Sequence, residues 1–191
     1  MDFYGTKLTD TALVLVDIQE RLLKLMKPKI WDSVLPRILL LTDMLQFLER
    51  PVFVTEQYPE GLGSTVKAVK DRLNAFQPLE KSTFSCWGQV SFQENLRRSG
   101  AGTVVLTGME AHICIHETAM DLKKNGFNVI VPADAVISSG KLKWQTGLRQ
   151  MEQAGIHISS SETVLFHLLG SCNHPAFGKM ISLLKEISTG N

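Results

Sequence analysis

Cys114 stands in the run Thr103-Val-Val-Leu-Thr-Gly108-Met-Glu110-Ala-His112-Ile-Cys114-Ile-His116-Glu. An apolar, β-branched stretch breaks at Gly108 and a helical pattern opens near His112. A cysteine in the first turn of a helix, just past a strand, sits among free backbone N–H groups at the positive end of the helix dipole. Both favour the thiolate, the nucleophilic form of the side chain. The segment therefore predicts an activated nucleophile. The plain alternative is a small buried hydrophobe, the usual role of an unpaired cysteine.

Two further residues could serve such a nucleophile. Asp17 directly follows the apolar run 12–16, and Lys81 closes an extended stretch over 76–81. If these runs and 103–106 are parallel strands, all three residues emerge at one edge of a sheet. A carboxylate there can accept the thiol proton and return it to a leaving amine. An ammonium can hold the carboxylate ionised and favour the thiolate. Backbone N–H groups of the turn 110–114 can receive a developing oxyanion. Taken singly, Asp17 is as readily a helix cap and Lys81 a solvated loop lysine.

The elements that must position these residues are legible as a rhythm. Strand-like runs cover 12–16, 51–55, 76–81, 103–106, 128–131 and 156–159. Between them lie helical patterns: one capped by Ser33 with apolar Val34, Ile38, Leu41, Leu45 and Leu48, then 89–98, 112–125 and 141–154. Segments 163–169 and 177–187 also read as helices, the last with a stripe of Met180, Leu183, Leu184 and Ile187. The first strand is apolar on both faces, as in a covered parallel sheet. Such alternation predicts an α/β, three-layer α/β/α, Rossmann-like doubly wound sheet, mostly parallel, of about six strands. One domain over 1–191 is expected, with a core of about 8–170 and a C-terminal helix near 177–187. The active crevice of such a sheet lies beyond the carboxyl ends of its strands.

Bulk properties narrow the function. An apolar fraction of 44% suits a globular core, and a formal net charge of +1 with interspersed signs makes no electrostatic case for nucleic acid or a membrane surface. No run approaches the ~20 apolar residues of a membrane helix. The first residues lack the basic-then-apolar order of a signal peptide. Three widely spaced cysteines, Cys86, Cys114 and Cys172, suit a reducing compartment, so a cytoplasmic location is expected.

These residues resemble the isochorismatase-like cysteine hydrolases. The matching pieces are Leu13-Val-Leu-Val-Asp17-Ile-Gln19, Glu80-Lys81-Ser-Thr-Phe84, Leu106-Thr-Gly108-Met-Glu110-Ala-His112-Ile-Cys114 and Pro132-Ala-Asp134. The pieces Thr55-Glu-Gln57-Tyr-Pro59 and Val164-Leu-Phe166-His-Leu-Leu-Gly170 are similar to the subgroup called isochorismatase domain-containing proteins. The resemblance implies a catalytic triad of Asp17, Lys81 and Cys114, and a cis peptide at Met109–Glu110 that aims the N–H groups of Glu110 and Cys114 at an oxyanion. It implies attack on a small amide or related C–N bond, a thioester intermediate, and a homo-oligomer acting on a small-molecule substrate. Relatives that hydrolyse nicotinamide carry metal-binding histidines after the second strand. This chain has no histidine before His112, so neither a metal nor another cofactor is expected.

Gln19, Gln57, Phe84, Trp87 and His112 are candidate pocket residues, with ordinary packing as the alternative for the aromatics. His112 and His116 share a helix face, but His116-Glu-Thr-Ala-Met120 lacks the second histidine of a zincin. Ser138-Ser-Gly140-Lys141 lacks the earlier glycine and following hydroxyl of a phosphate loop. Asp134 reads as a loop cap. Two rival functions remain: a binding or scaffold protein on the same fold, and an isochorismate-type vinyl-ether hydrolase.

Overall fold

The computed structural model describes residues 10–189. The expected start of the core at residue 8, the first seven residues and the last two lie outside the described residues. Seven strands form one parallel sheet: β1 (Thr11–Val16), β2 (Val52–Gln57), β3 (Leu79–Lys81), β4 (Thr103–Met109), β5 (Asn128–Pro132), β6 (Val136–Ile137) and β7 (His157–Ser159). Their order is β3-β2-β1-β4-β5-β7, with β6 added beside the end of β4. The order reverses between β1 and β4, which are paired along their whole length. That switch point is where an open α/β sheet leaves a crevice.

Helices cover both faces, and the strands show it in their alternation. Leu13, Leu15, Val105 and Ile130 face one core, with α2 (Pro28–Phe47), α8 (Ser161–Leu169) and α9 (Phe177–Thr189). Ala12, Val14, Val16, Val104, Leu106, Val129 and Val131 face the other, with α5 (Val90–Arg98), α6 (Cys114–Lys124) and α7 (Lys141–Gln153). Single-turn helices α1 (Glu20–Leu23), α3 (Pro59–Leu62) and α4 (Lys67–Lys70) sit in the loops after β1 and β2. A strand buried on both faces needs no polar positions, which is why β1 and β4 read as continuous apolar runs.

Some boundaries differ from the sequence expectation. The helix expected to start after Ser33 begins at Pro28, and the Ser33 hydroxyl donates to the Ile30 carbonyl instead of capping. Proline needs no N–H partner in a first turn. The buried stripe Trp31, Val34, Ile38, Leu41 and Leu45 carries the helix through Pro36. β3 keeps only the last three residues of its expected run. β4 extends to Met109, where the two-residue β6 pairs Gly108 with Val136 and Met109 with Ile137. A strand that short has no periodicity to read.

Two glycines permit the close approaches behind the site. Gly108 has φ +113°, and a Cβ there would lie 2.2 Å from the Val16 carbonyl oxygen. Gly147 of α7 faces the backbone of Ala111 and His112, with a Cβ falling 2.8 Å from the Ala111 oxygen. Gly108→Ala combines a forbidden φ with a backbone collision and is expected to cost about 3 kcal/mol or more. Gly126→Ala also sits at positive φ, +88°, but a Cβ meets nothing within 4 Å, so about 1 kcal/mol is expected. Urea denaturation of the two variants checks the order; equal losses would refute the packing account.

Candidate active site

The turn after β1 starts at Asp17, which is fully buried with φ +51°. Asp is among the few non-glycine residues that tolerate this region. The register Val16↔Thr55 sets Thr55 beside it, and the threonine hydroxyl donates to Asp17 Oδ1 at 2.8 Å. Register Gln57↔Lys81 brings in the third strand. Lys81 Nζ donates to Asp17 Oδ2 at 2.6 Å and to Gln57 Oε1 at 2.7 Å. It also reaches the carbonyls of Thr83 and Phe84 at 3.2 and 3.1 Å. Burial alone would push the Lys81 ammonium down. The Asp17 charge, with the sulfurs of Cys86 and Cys114 behind it, outweighs burial and raises it.

Cys114 is the first residue of α6 and is 7% exposed. The Asp17 carboxylate is close enough to act on its thiol electrostatically. Burial pushes this thiol up, the Asp17 charge pushes it further, and Lys81 opposes both; the result lies well above an ordinary thiol. The lowered thiol expected from the helix position is thus reversed. The positive end of α6 acts against burial, the largest effect, and the Asp17 charge, and these two win. The Met109–Glu110 peptide is cis. Among the described residues, the N–H groups of Glu110 and Cys114 have no backbone acceptor, whereas Ala111 N–H is taken by Ile137 and Ile113 N–H by Glu110.

The remaining candidate residues have varied placements. Gln57 holds Lys81, and its Nε2 donates to the Ser82 carbonyl. Gln19 is buried; its amide donates to the Gln57 and Gly63 carbonyls and accepts from Gln57 N–H. Those bonds fasten the loop after β2, so the expected pocket role gives way to a structural one. Trp87 is likewise buried, edge-on to Phe127 at 5.5 Å and under Arg97; it belongs to the α5–α6 core. Phe84 is 62% exposed at the carboxyl edge, near the equally exposed Tyr58 in the chain loops there. His112 Nδ1 lies 3.1 Å from Ser138 Oγ, and burial pushes the imidazole below its ordinary value. His116 Nδ1 faces Glu117 at 3.0 Å. Among the described residues no three His, Cys, Asp or Glu side chains gather as a ligand set. Asp134 accepts from Ser161 N–H and Oγ, tying α8 to the turn after β5.

Sequence reasoning missed two contributors. Thr55 carried no signal beyond being one β-branched residue in a strand. Cys86 has no strand–turn–helix context in the sequence, yet it is buried beside Thr55, with Sγ 3.7 Å from the hydroxyl. Burial, then the Asp17 charge, push its thiol up to about 11. A cavity of about 690 Å³ lies elsewhere, between α2 and the start of α7, and Asp17, Lys81 and Cys114 do not line it.

A three-layer α/β/α sheet with a thiol, a carboxylate and an ammonium clustered at its carboxyl edge defines a hydrolase-like doubly wound fold. The chain belongs to the isochorismatase family: the model for the isochorismatase domain matches residues 11–163. It is 35% identical over 178 residues to isochorismatase domain-containing protein 2 of Bos taurus, spanning 93% of this chain and 84% of that one. A structure described as MAR1 ribonuclease from Caenorhabditis elegans matches with TM-score 0.85 at 35% identity, covering 92% of this chain and 89% of that chain. The ycaC gene product of Escherichia coli, described as an octameric hydrolase of unknown specificity, matches at TM-score 0.76, 20% identity and full coverage of both chains. That last likeness is of fold.

Two measurements test the electrostatics. Site-resolved alkylation should give Cys114 a midpoint above the ordinary thiol value of ~8.5. Asp17→Asn removes the opposing charge and should move it down; Lys81→Met should move it up. A wild-type midpoint below the ordinary value overturns this account. Either substitution alone strands a buried charge and should cost roughly 3–5 kcal/mol. The double variant should cost less than the sum of the two, read by denaturant titration.

Proposed function

We propose that the protein is a cysteine hydrolase of a small amide or related C–N bond. Cys114 attacks the carbonyl carbon, and its proton passes to Asp17. The N–H groups of Glu110 and Cys114 receive the oxyanion. Collapse expels the amine, which takes the proton from Asp17, and leaves a thioester on Cys114. Water then attacks the thioester, giving its proton to Asp17; the acid departs and the thiol is restored. Lys81 stays paired with Asp17 between these transfers. The observation that carries this reading is a buried cysteine at the first position of α6, held close to a carboxylate that is itself paired with Lys81.

Phe84, in the loop after Lys81, and His112, two residues before Cys114, are assigned to the substrate's surroundings. A homo-oligomer in the cytoplasm is proposed: Tyr58 and Phe84 present exposed rings at the carboxyl edge, and a chain of this fold is described as an octamer. No helix of the described residues is long and apolar enough to cross a membrane. A light-scattering mass of one chain would refute the oligomer.

The near closure of Cys114 favours a second reading, a binding protein with little turnover. A panel of small amides, isochorismate and a single-stranded RNA separates the possibilities. Turnover of an amide, lost at least ~10³-fold in Cys114→Ala with a Cys114 acyl adduct trapped in the wild type by mass spectrometry, supports the hydrolase. An active Cys114→Ala variant refutes it. No turnover of any amide favours the binding protein, and turnover of isochorismate or RNA alone replaces the proposed bond class.

A further inference from the structure

The cavity of about 690 Å³ has no part in the chemistry above, and it is of a size that holds a small organic molecule. Its walls are Val34 of α2, Val136 and Ile137 of β6, and Trp144 of α7. Trp144 is fixed there by its indole N–H, which donates to the Val136 carbonyl at 3.1 Å. The polar part of the lining is cationic: Lys27, Arg37 and Lys141 against the single carboxylate of Asp134. That carboxylate is engaged by Ser161 at 2.7 and 2.6 Å, and Arg37 Nε stands 4.0 Å from it, beyond a hydrogen bond. The cavity thus joins apolar walls to a positive rim whose guanidinium has only a loose counter-charge among the described residues.

We propose that this cavity binds a small organic anion with an apolar body, such as an aliphatic or aromatic carboxylate, at a site separate from Cys114. The apolar body fills the space between Val34, Ile137 and Trp144, and the anionic head meets Arg37 and Lys141. Desolvation of the walls supplies affinity, and the rim selects charge. The site also touches the nucleophile's turn from behind. Ser139 N–H donates to Glu110 Oε2 at 2.7 Å, and Ser138 Oγ meets His112 Nδ1. Both serines line the cavity. An occupant therefore contacts the segment that anchors Glu110.

Fluorescence titration with 8-anilinonaphthalene-1-sulfonate, followed by displacement with decanoate and with decanol, tests the proposal on the full chain. Saturable binding is expected, with decanoate displacing the probe at least ~10-fold better than decanol. Arg37→Gln and Lys141→Gln should each erode that preference. Ser33→Trp, a change at an exposed lining position, should abolish the site while circular dichroism stays that of the wild type. Binding should persist in Cys114→Ala, which separates this result from the fate of the proposed hydrolase. Equal displacement by the alcohol, unchanged binding in Ser33→Trp, or no saturable binding overturns the proposal.

Discussion

The ion pair between Lys81 and Asp17 is the constraint around which the rest of the site is built. Both side chains are essentially removed from water. Taking each ion out of water costs several kcal/mol, and the mutual attraction repays this only when the remaining lone pairs and protons are also satisfied. Here they are. The carboxylate takes the Thr55 hydroxyl on one oxygen and Lys81 on the other. The ammonium shares three protons among a carboxylate, an amide oxygen and two carbonyls. These acceptors come from the ends of β1 and β2 and from the loop that follows β3. The pair is thus weak evidence for stability and strong evidence for a fixed geometry. Three strands, β1, β2 and β3, must hold their register for the charges to be tolerated.

The other half of the crevice comes from β4, across the switch point. Gly108 lets its end press against the Val16 carbonyl, so Asp17 and the Glu110–Cys114 turn arise from adjacent backbones. Gly147 lets α7 press on the same turn from the other side. Ile137 and Ser139 then take up or supply backbone hydrogen bonds there. Cys114 is thus placed by close backbone approach on both sides of its turn.

Much of this was legible beforehand, and the reason is periodicity. β1 and β4, buried on both faces, read as unbroken apolar runs, and Asp17 and Cys114 stood out where those runs ended. Parallel pairing then implied that both met Lys81 at one edge. What escaped notice was lateral. Thr55 reaches Asp17 through the β1–β2 register, and register is not written in either strand alone. Cys86 reaches Thr55 from a three-residue turn with no local signature. Gln19 and Trp87 looked like pocket residues because polarity and aromaticity at a loop are ambiguous. Only their partners, carbonyls for one and Phe127 for the other, show that they serve the scaffold.

The same lateral contacts explain why the thiol behaves unlike one judged from its helix position. Deprotonating Cys114 in the resting site would add a net negative charge to a buried cluster that is neutral as it stands, with one ammonium and one carboxylate. Burial and Asp17 both resist that, and Lys81 is already committed. In the hydrolysis proposed above, transfer of the thiol proton to Asp17 during attack would have a different balance. Sulfur loses its proton as it gains carbon, Asp17 becomes neutral, and the negative charge reappears on the carbonyl oxygen. The cluster keeps its net charge throughout; one charge is relocated and none is created. On that proposal the site would hold Cys114 inactive until an electrophile supplies somewhere for the charge to go. The proposed reaction also needs free donors for that oxygen, and among the described residues the N–H groups of Glu110 and Cys114 have no backbone acceptor.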